Sequence, residues 1–268
     1  MKVGFIGTGN MGGALAHAAA QSPTPPELLL SNRTPEKAQA LAQQLGATVS
    51  DNETIAQTCD YIFLGVKPQM MADLLARLQP ILSRRQEDFV LVSMAAGLTL
   101  QRLREMAGLS CPILRIMPNT ACAVGAGLTL YVPSPEVTEE QLSAFLTLMS
   151  ASGRLEPLEE HLIDAGSAVS GCGGAFCNLF TEALADGGVA CGLSRAQAYR
   201  YAAQMLIGMS KLMLESGKHP AVLKDEACSP AGATIEGVRV LEKAGLRAAV
   251  IEAVVASCRK NAILGHET

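Results

Sequence analysis

The chain has 268 residues, of which 49% are hydrophobic and only 17% charged, with a formal net charge of −4. That length allows one large domain or two smaller ones with an ample core, and the mild acidity excludes the general electrostatics of a nucleic-acid binder. No run reaches the roughly 18 apolar residues of a membrane span, and the cysteines (Cys59, Cys111, Cys122, Cys172, Cys177, Cys191, Cys228 and Cys258) form no CxxC pair and no His-linked spacing, so no metal site is expected.

Met1-Lys2 leads straight into a short strand rather than into a signal peptide, so the thiols read as reduced and the protein as cytoplasmic. The strand is Val3-Gly4-Phe5-Ile6. It runs into Gly7-Thr8-Gly9-Asn10-Met11-Gly12 and an Ala-rich helix ending near Ser22-Pro23. A GxGxxG after a strand and before a helix is the context in which the motif binds dinucleotides. The first glycine permits the tight turn, the second lets backbone approach a pyrophosphate, and the third allows close helix–strand packing. Ile6 to Gly12 are therefore candidate cofactor contacts. The second strand, Leu28-Leu29-Leu30, ends at Ser31-Asn32-Arg33-Thr34. An NAD site usually places an acid here to hold the ribose 2′-OH. These four residues can instead donate to a 2′-phosphate, which favours NADPH over NADH. Thr34-Pro35 opens a helix that stops at Gly46, and Ser50-x-x-Glu53 has the pattern of a capping box for the next.

Tyr61 to Val66, Phe89 to Ser93 and Ile113 to Ile116 are continuous apolar runs, as expected of strands covered on both faces of a parallel sheet. Ligands bind beyond the carboxyl ends of such strands, where Val66, Lys67, Pro68, Ala95, Ala96 and Asn119 fall. A solvated loop lysine is the alternative for Lys67. Gly127 to Val132 gives another strand, Thr138-x-x-Gln141 caps a helix reaching about Ser150, and Arg154-Leu155-Glu156 gives an edge strand. The pattern implies an α/β fold: a Rossmann-type, NADP-binding domain over 1–157, then an all-helical domain over 158–268.

In that second half, helices are expected over 159–169, 174–191, 195–216, 220–227, 231–244 and 246–264, with Ser194-x-x-Gln197 as a capping box and Gly217, Gly245 and Gly265 as stops. Met205, Met209 and Met213 suit core or interface packing. So many apolar, weakly charged helices bury poorly alone, which points to pairing with a second copy of the chain. The sequence Ser229-Pro230-Ala231-Gly232-Ala233-Thr234 reads as a helix entrance, with Ser229 as N-cap, Pro230 in the first helical position, and little side chain over the first amides. Bare amides at a helix N-terminus bind anions. Thr234 is expected to place one hydroxyl a turn further in. The site would take a small carboxylate; the alternative is an ordinary capped, close-packed helix. No Lys or Arg lies between Leu155 and Ser194, and none of the histidines has a catalytic setting. Reduction of a ketone calls for a proton donor to the developing alkoxide. A protonated cyclic imine needs less, because hydride addition leaves a neutral amine.

Gly7 to Met11, Val66-Lys67-Pro68, Ser93 to Gly97, Arg115 to Asn119, and above all Ser229 to Ile235 resemble the motifs of the pyrroline-5-carboxylate reductases, over nearly the whole chain. The resemblance implies reduction of 1-pyrroline-5-carboxylate to L-proline by NADPH or NADH in a homodimer or a ring of dimers. It implies that Thr234 contacts the ring nitrogen, that the amides of Gly232 to Thr234 hold the carboxylate with Ala231 in the same loop, and that Ser229 supports it. Glu160 matches a family residue near the substrate, and Asn52 and Lys67 match cofactor contacts. This chain departs from the family where it has Cys172 for Ser, Gly174 for Pro, Phe176 for Tyr and Ala231 for Gly. A left-handed φ at Ala231 would make that last change harmful. The competing readings are a β-hydroxyacid dehydrogenase, which would need a lysine in the basic-free stretch, and a non-catalytic NADP-binding dimer.

Overall fold

The computed structural model describes residues 1–266. The chain divides into two compact units, one of Met1–Gly171 together with the segment that begins at Ser257, the other Cys172–Ala256.

In the first unit, strands β1 (Lys2–Ile6), β2 (Glu27–Ser31), β3 (Thr48–Val49), β4 (Tyr61–Leu64), β5 (Val90–Ser93), β6 (Ile113–Met117), β7 (Gly127–Pro133) and β8 (Gly153–Pro157) form one sheet in the order β3-β2-β1-β4-β5-β6-β7-β8. Its helices are α1 (Asn10–Ala20), α2 (Pro35–Leu45), α3 (Asn52–Thr58), α4 (Met71–Leu82), α5 (Leu100–Ala107), α6 (Glu139–Leu148) and α7 (Ile163–Ser167). The apolar runs are resolved by their period of two into two cores. Val3, Phe5, Phe63, Val92, Leu114 and Ile116 face one side with Leu15 of α1 and Phe145 of α6. Ile6, Ile62, Leu64, Leu91 and Ile113 face the other with Ile55 of α3, Leu74 and Leu78 of α4 and Leu103 of α5. Phe5 stacks on Phe63 with ring centroids 4.4 Å apart.

The expected parallel sheet is present; one cap is corrected, and an antiparallel pair and a short edge strand add to what the sequence suggests. The sheet is parallel except at β6–β7, which run antiparallel. The segment from Pro118 to Ala126 holds only a short 3₁₀ turn at Thr120–Val124, too little for the crossover that a parallel pair requires. Asp51, not Ser50, caps α3, its carboxylate accepting from the Thr54 N–H at 2.6 Å. The two-residue edge strand β3 carries no sequence signal beyond its neighbours. At Thr138 both bonds of the expected capping box are present. All eight cysteines are free. Burial pushes the thiols of Cys59 and Cys111 up to about 11 and about 12, which removes their nucleophilic form near neutrality.

The second unit is helical, with α8 (Gly173–Ala190), α9 (Arg195–Ser216), α10 (Pro220–Glu226), α11 (Ala233–Lys243) and the start of α12 (Leu246–His266). Ser194 and Gln197 form the expected capping box, and Gly217 ends α9 with φ +63°. Gly265 does not stop α12, which continues to His266. Few residues of the unit are buried, whereas Leu179, Ile207, Met209, Leu214, Val240 and Ile251 are exposed. No helix among the described residues is long and apolar enough to cross a membrane.

Candidate functional site

The strand order reverses between β1 and β4, since β2 and β3 extend the sheet one way and β4 onward the other. Crevices outside the carboxyl ends of strands at such a point are where doubly wound sheets bind ligands. Backbone approach is extreme here. Gly7 has φ +97° and its N–H donates to the Ser31 carbonyl at 2.8 Å, while the Gly65 N–H donates to the Ile6 carbonyl at 2.8 Å. A Cβ on Gly7 would lie 2.5 Å from the Gly65 carbonyl oxygen, and one on Gly12 would lie 2.1 Å from that of Gly7. At Gly9 the same test finds nothing within 4 Å. Gly9 is also the N-cap of α1 and supplies no side-chain cap, so the first amides of α1 face open space over a bare backbone.

The residues expected to hold a dinucleotide cluster around this turn. The Thr8 N–H donates to Asn32 Oδ1 at 3.2 Å, and Asn32 Nδ2 donates to the Thr34 carbonyl at 3.0 Å. Ser31 Oγ donates to Asn52 Oδ1 at 2.6 Å, joining the end of β2 to the start of α3. Arg33 is exposed and has no ion-pair partner among the described residues. Met11 is half-buried on α1, and the Ile6 side chain is in the core, leaving only its backbone at the turn. Val66, exposed Lys67 and Pro68 follow β4, and Ala95 and Ala96 follow β5, the Ala95 N–H donating to Ser93 Oγ at 3.4 Å. The buried Thr8 Oγ1 has no hydrogen-bond partner among the described residues. An unpaired buried hydroxyl beside a bare helix N-terminus fits a ligand that brings oxygen atoms, as a dinucleotide pyrophosphate does.

Asn119, also at a strand end, is already engaged: Nδ2 donates to the Ser170 carbonyl at 3.1 Å and Oδ1 accepts from the Leu128 N–H at 3.3 Å. It pins the π-helical turn Ala168–Cys172. Glu160 is engaged too. Its Oε1 accepts from the Leu100 N–H at 2.6 Å and from Arg115 Nη1 at 3.0 Å. Arg115, on β6, is only 2% exposed, and its second partner, Asp164, is 3.9 Å away. Arg115, expected from the sequence only as part of a strand and a motif, is also a buried cation; the signal for it is a lone arginine within an apolar run.

In the second unit the helix entrance differs from its expected form. The N-cap of α11 is Gly232, not Ser229, and Pro230 lies in the preceding turn. The Gly232 N–H donates to the Ser229 carbonyl at 3.0 Å, so that amide is spent. Helix geometry leaves the amides of Ala233, Thr234 and Ile235 without an intrahelical acceptor. Thr234 lies within this first turn rather than a turn further in. Ser229 Oγ lies over Gly232, where a Cβ would come within 2.3 Å of it. Ala231 has φ +58°, the left-handed value at which an alanine is strained.

A doubly wound sheet with a bare glycine turn at its reversal point, followed by an all-helical unit, is the build of a dinucleotide-dependent oxidoreductase. Residues 2–97 match the family model described as NADP oxidoreductase coenzyme F420-dependent, and residues 160–264 match pyrroline-5-carboxylate reductase dimerisation. The chain is 41% identical to the pyrroline-5-carboxylate reductase of Escherichia coli, with 97% of each chain covered, and 37% identical to that of Pisum sativum, with 97% and 94% covered. The crystal structure of Plasmodium falciparum pyrroline carboxylate reductase with NADP bound superposes with a TM-score of 0.87 at 32% identity, covering 99% of this chain and 98% of that one. The chain belongs to the pyrroline-5-carboxylate reductase family. Membership sets aside the β-hydroxyacid dehydrogenase alternative.

Removal of the Glu160 carboxylate leaves the buried Arg115 with one distant partner. Loss of a hydrogen bond to a charged group costs roughly 1.5–3 kcal/mol. Glu160→Ala is therefore expected to lower unfolding stability by about that amount in urea titration, with Glu160→Gln losing less.

Proposed function

We propose that the protein reduces 1-pyrroline-5-carboxylate to L-proline, the last step of proline synthesis, with NADPH as the preferred hydride donor. The observation that carries this reading is the entrance of α11. It offers three free amides and, within the first turn of the helix, one hydroxyl, that of Thr234, in a chain 41% identical to the Escherichia coli reductase. Bound NADPH supplies a hydride to the imine carbon. The chain's own residues bind and orient. Ile6 to Gly12 hold the pyrophosphate against the N-terminus of α1, and Asn52, the segment from Val66 to Pro68, Ala95 and Ala96 complete the cofactor's surroundings. Ser31, Asn32, Arg33 and Thr34 receive the 2′-phosphate. The amides of Ala233 to Ile235 take the substrate carboxylate, Ser229 and Gly232 shape the turn that presents them, and Thr234 bonds the ring nitrogen. Glu160 acts through Arg115 and Leu100, which it ties together, rather than as a proton donor. The free thiols fit a reducing, cytoplasmic compartment.

As hydride arrives, the cationic imine becomes a neutral amine and its nitrogen becomes a better acceptor. A hydrogen bond from the Thr234 hydroxyl strengthens on that path and so acts on the transition state as well as on binding. Its loss, roughly 1.5–3 kcal/mol, corresponds to about 10- to 150-fold in catalytic efficiency. In a steady-state assay of NADPH oxidation, Thr234→Ala is expected to lose about that much kcat/KM while binding NADPH normally, and Thr234→Ser to recover most of it. Wild-type efficiency in Thr234→Ala would remove the hydroxyl from the chemistry.

Arg33 is exposed and has no ion-pair partner among the described residues, so its guanidinium is available to a 2′-phosphate. Arg33→Ala should raise the KM for NADPH well above any change in that for NADH. Equal effects on the two cofactors would refute the assignment.

The exposed apolar side chains of the helical unit, in the region matching a dimerisation model, support a homodimer, and we extend this to a ring of dimers. Light scattering at low micromolar concentration should give a mass of at least two chains; a stable, active monomer would rule the dimer out.

A further inference from the structure

Ala231 is the one non-glycine residue with positive φ among the described residues. It sits third in the turn Ser229-Pro230-Ala231-Gly232, closed by the Gly232 N–H donating to the Ser229 carbonyl at 3.0 Å. Proline second and positive φ third define a type II turn, whose third position belongs to glycine or asparagine. With an alanine there, the Cβ crowds the following carbonyl. A flip of the Pro230–Ala231 peptide plane converts the turn to type I. That keeps the closing hydrogen bond and takes Ala231 to a φ near about −90°. The flip also reverses the directions of the Pro230 carbonyl and the Ala231 N–H, immediately ahead of the free amides of α11. Pro230 and Ala231 are both exposed, and no side-chain hydrogen bond from the described residues holds either one. Strain of this kind persists only where the surroundings over-determine it, and here they do not.

We propose that Ala231 is a positioning residue that sets substrate affinity: its methyl group holds the type II turn, the form that presents the α11 amides to a carboxylate, at a disadvantage relative to the flipped form. This rests on the reading of the α11 entrance as the carboxylate site. Substrate then binds only the fraction of molecules with the turn in place, and the apparent dissociation constant rises by the inverse of that fraction. Once substrate is bound the turn is fixed, so the chemical step is unaffected. An L-residue in the left-handed region is disfavoured by a factor of roughly 5–30, which bounds the effect.

The test is steady-state kinetics on the full chain with NADPH and pyrroline-5-carboxylate, together with thermal melting, for Ala231→Gly and Ala231→Val. Glycine removes the penalty and should lower the KM for the imine about five- to tenfold, with kcat within about twofold and the KM for NADPH unchanged. Valine, β-branched and worse at positive φ, should raise the imine KM at similar kcat. If the melting temperature moves in both variants while the imine KM does not, the fold carries the strain and the proposal fails. A change in kcat in place of KM would also overturn it, because Ala231 would then act on the chemical step. Absence of imine-dependent NADPH oxidation by the unsubstituted enzyme would overturn the carboxylate-site reading itself, and this inference with it.

Discussion

The contact of bare backbone on bare backbone at Gly7, Gly12 and Gly65 is the constraint around which the first unit is arranged. The carbonyl of Gly7 lies where a Cβ of either Gly12 or Gly65 would have to go. Any side chain there would push α1 off the end of β1, or β4 away from it. With the three glycines in place, α1 begins directly at the reversal point of the strand order, and its unsatisfied amides open on the space over Gly9. The hydrogen bonds around Thr8, Asn32, Ser31 and Asn52 then draw the ends of β1 and β2 and the start of α3 into one polar cluster. What sits farther along the sheet, including the Glu160–Arg115 pair, fixes strand ends and loops rather than the turn itself.

Much of this was legible in the sequence, for identifiable physical reasons. Gly7-Thr8-Gly9-Asn10-Met11-Gly12 declares itself because each glycine meets a separate steric demand, and the apolar runs at Tyr61, Val90 and Ile113 declare a two-faced sheet. The antiparallel turn from β6 to β7 has no signal in residue type, since it follows from the shortness of a connection. Asp51 displaced Ser50 as the cap of α3 because neighbouring residues with similar capping ability compete within one step, and the backbone chooses between them. The employment of Asn119 and Glu160 in tying strands to loops arises from tertiary neighbours that no local pattern reports.

The entrance to α11 shows how far local reading can go. Serine followed by proline has the pattern of a cap and a first helical residue, yet the chain uses them for a turn and starts the helix at Ala233, leaving Gly232 as the cap. The rule behind the expectation is sound; a second structure, a four-residue turn with proline in its second position, satisfies the same residues equally well. The left-handed φ at Ala231 and the extended backbone of Gly232 separate the two. Along the helical unit, the low charge and exposed apolar side chains follow from one cause, an insufficiency of core within a single chain.

The strand order has a consequence for how the protein is made. From β1 outward, each new strand pairs with an open edge: β2 and β3 on one side, then β4, β5, β6, β7 and β8 in succession on the other. No strand has to be inserted between two that are already paired, so the sheet can grow in the order of synthesis as the chain leaves the ribosome. Gly65, whose carbonyl lies where a Cβ on Gly7 would go, arrives with the end of β4, before most of the chain exists. A truncated nascent chain carrying little more than its first quarter therefore already holds Gly7, Gly12 and Gly65 and the backbone contacts among them.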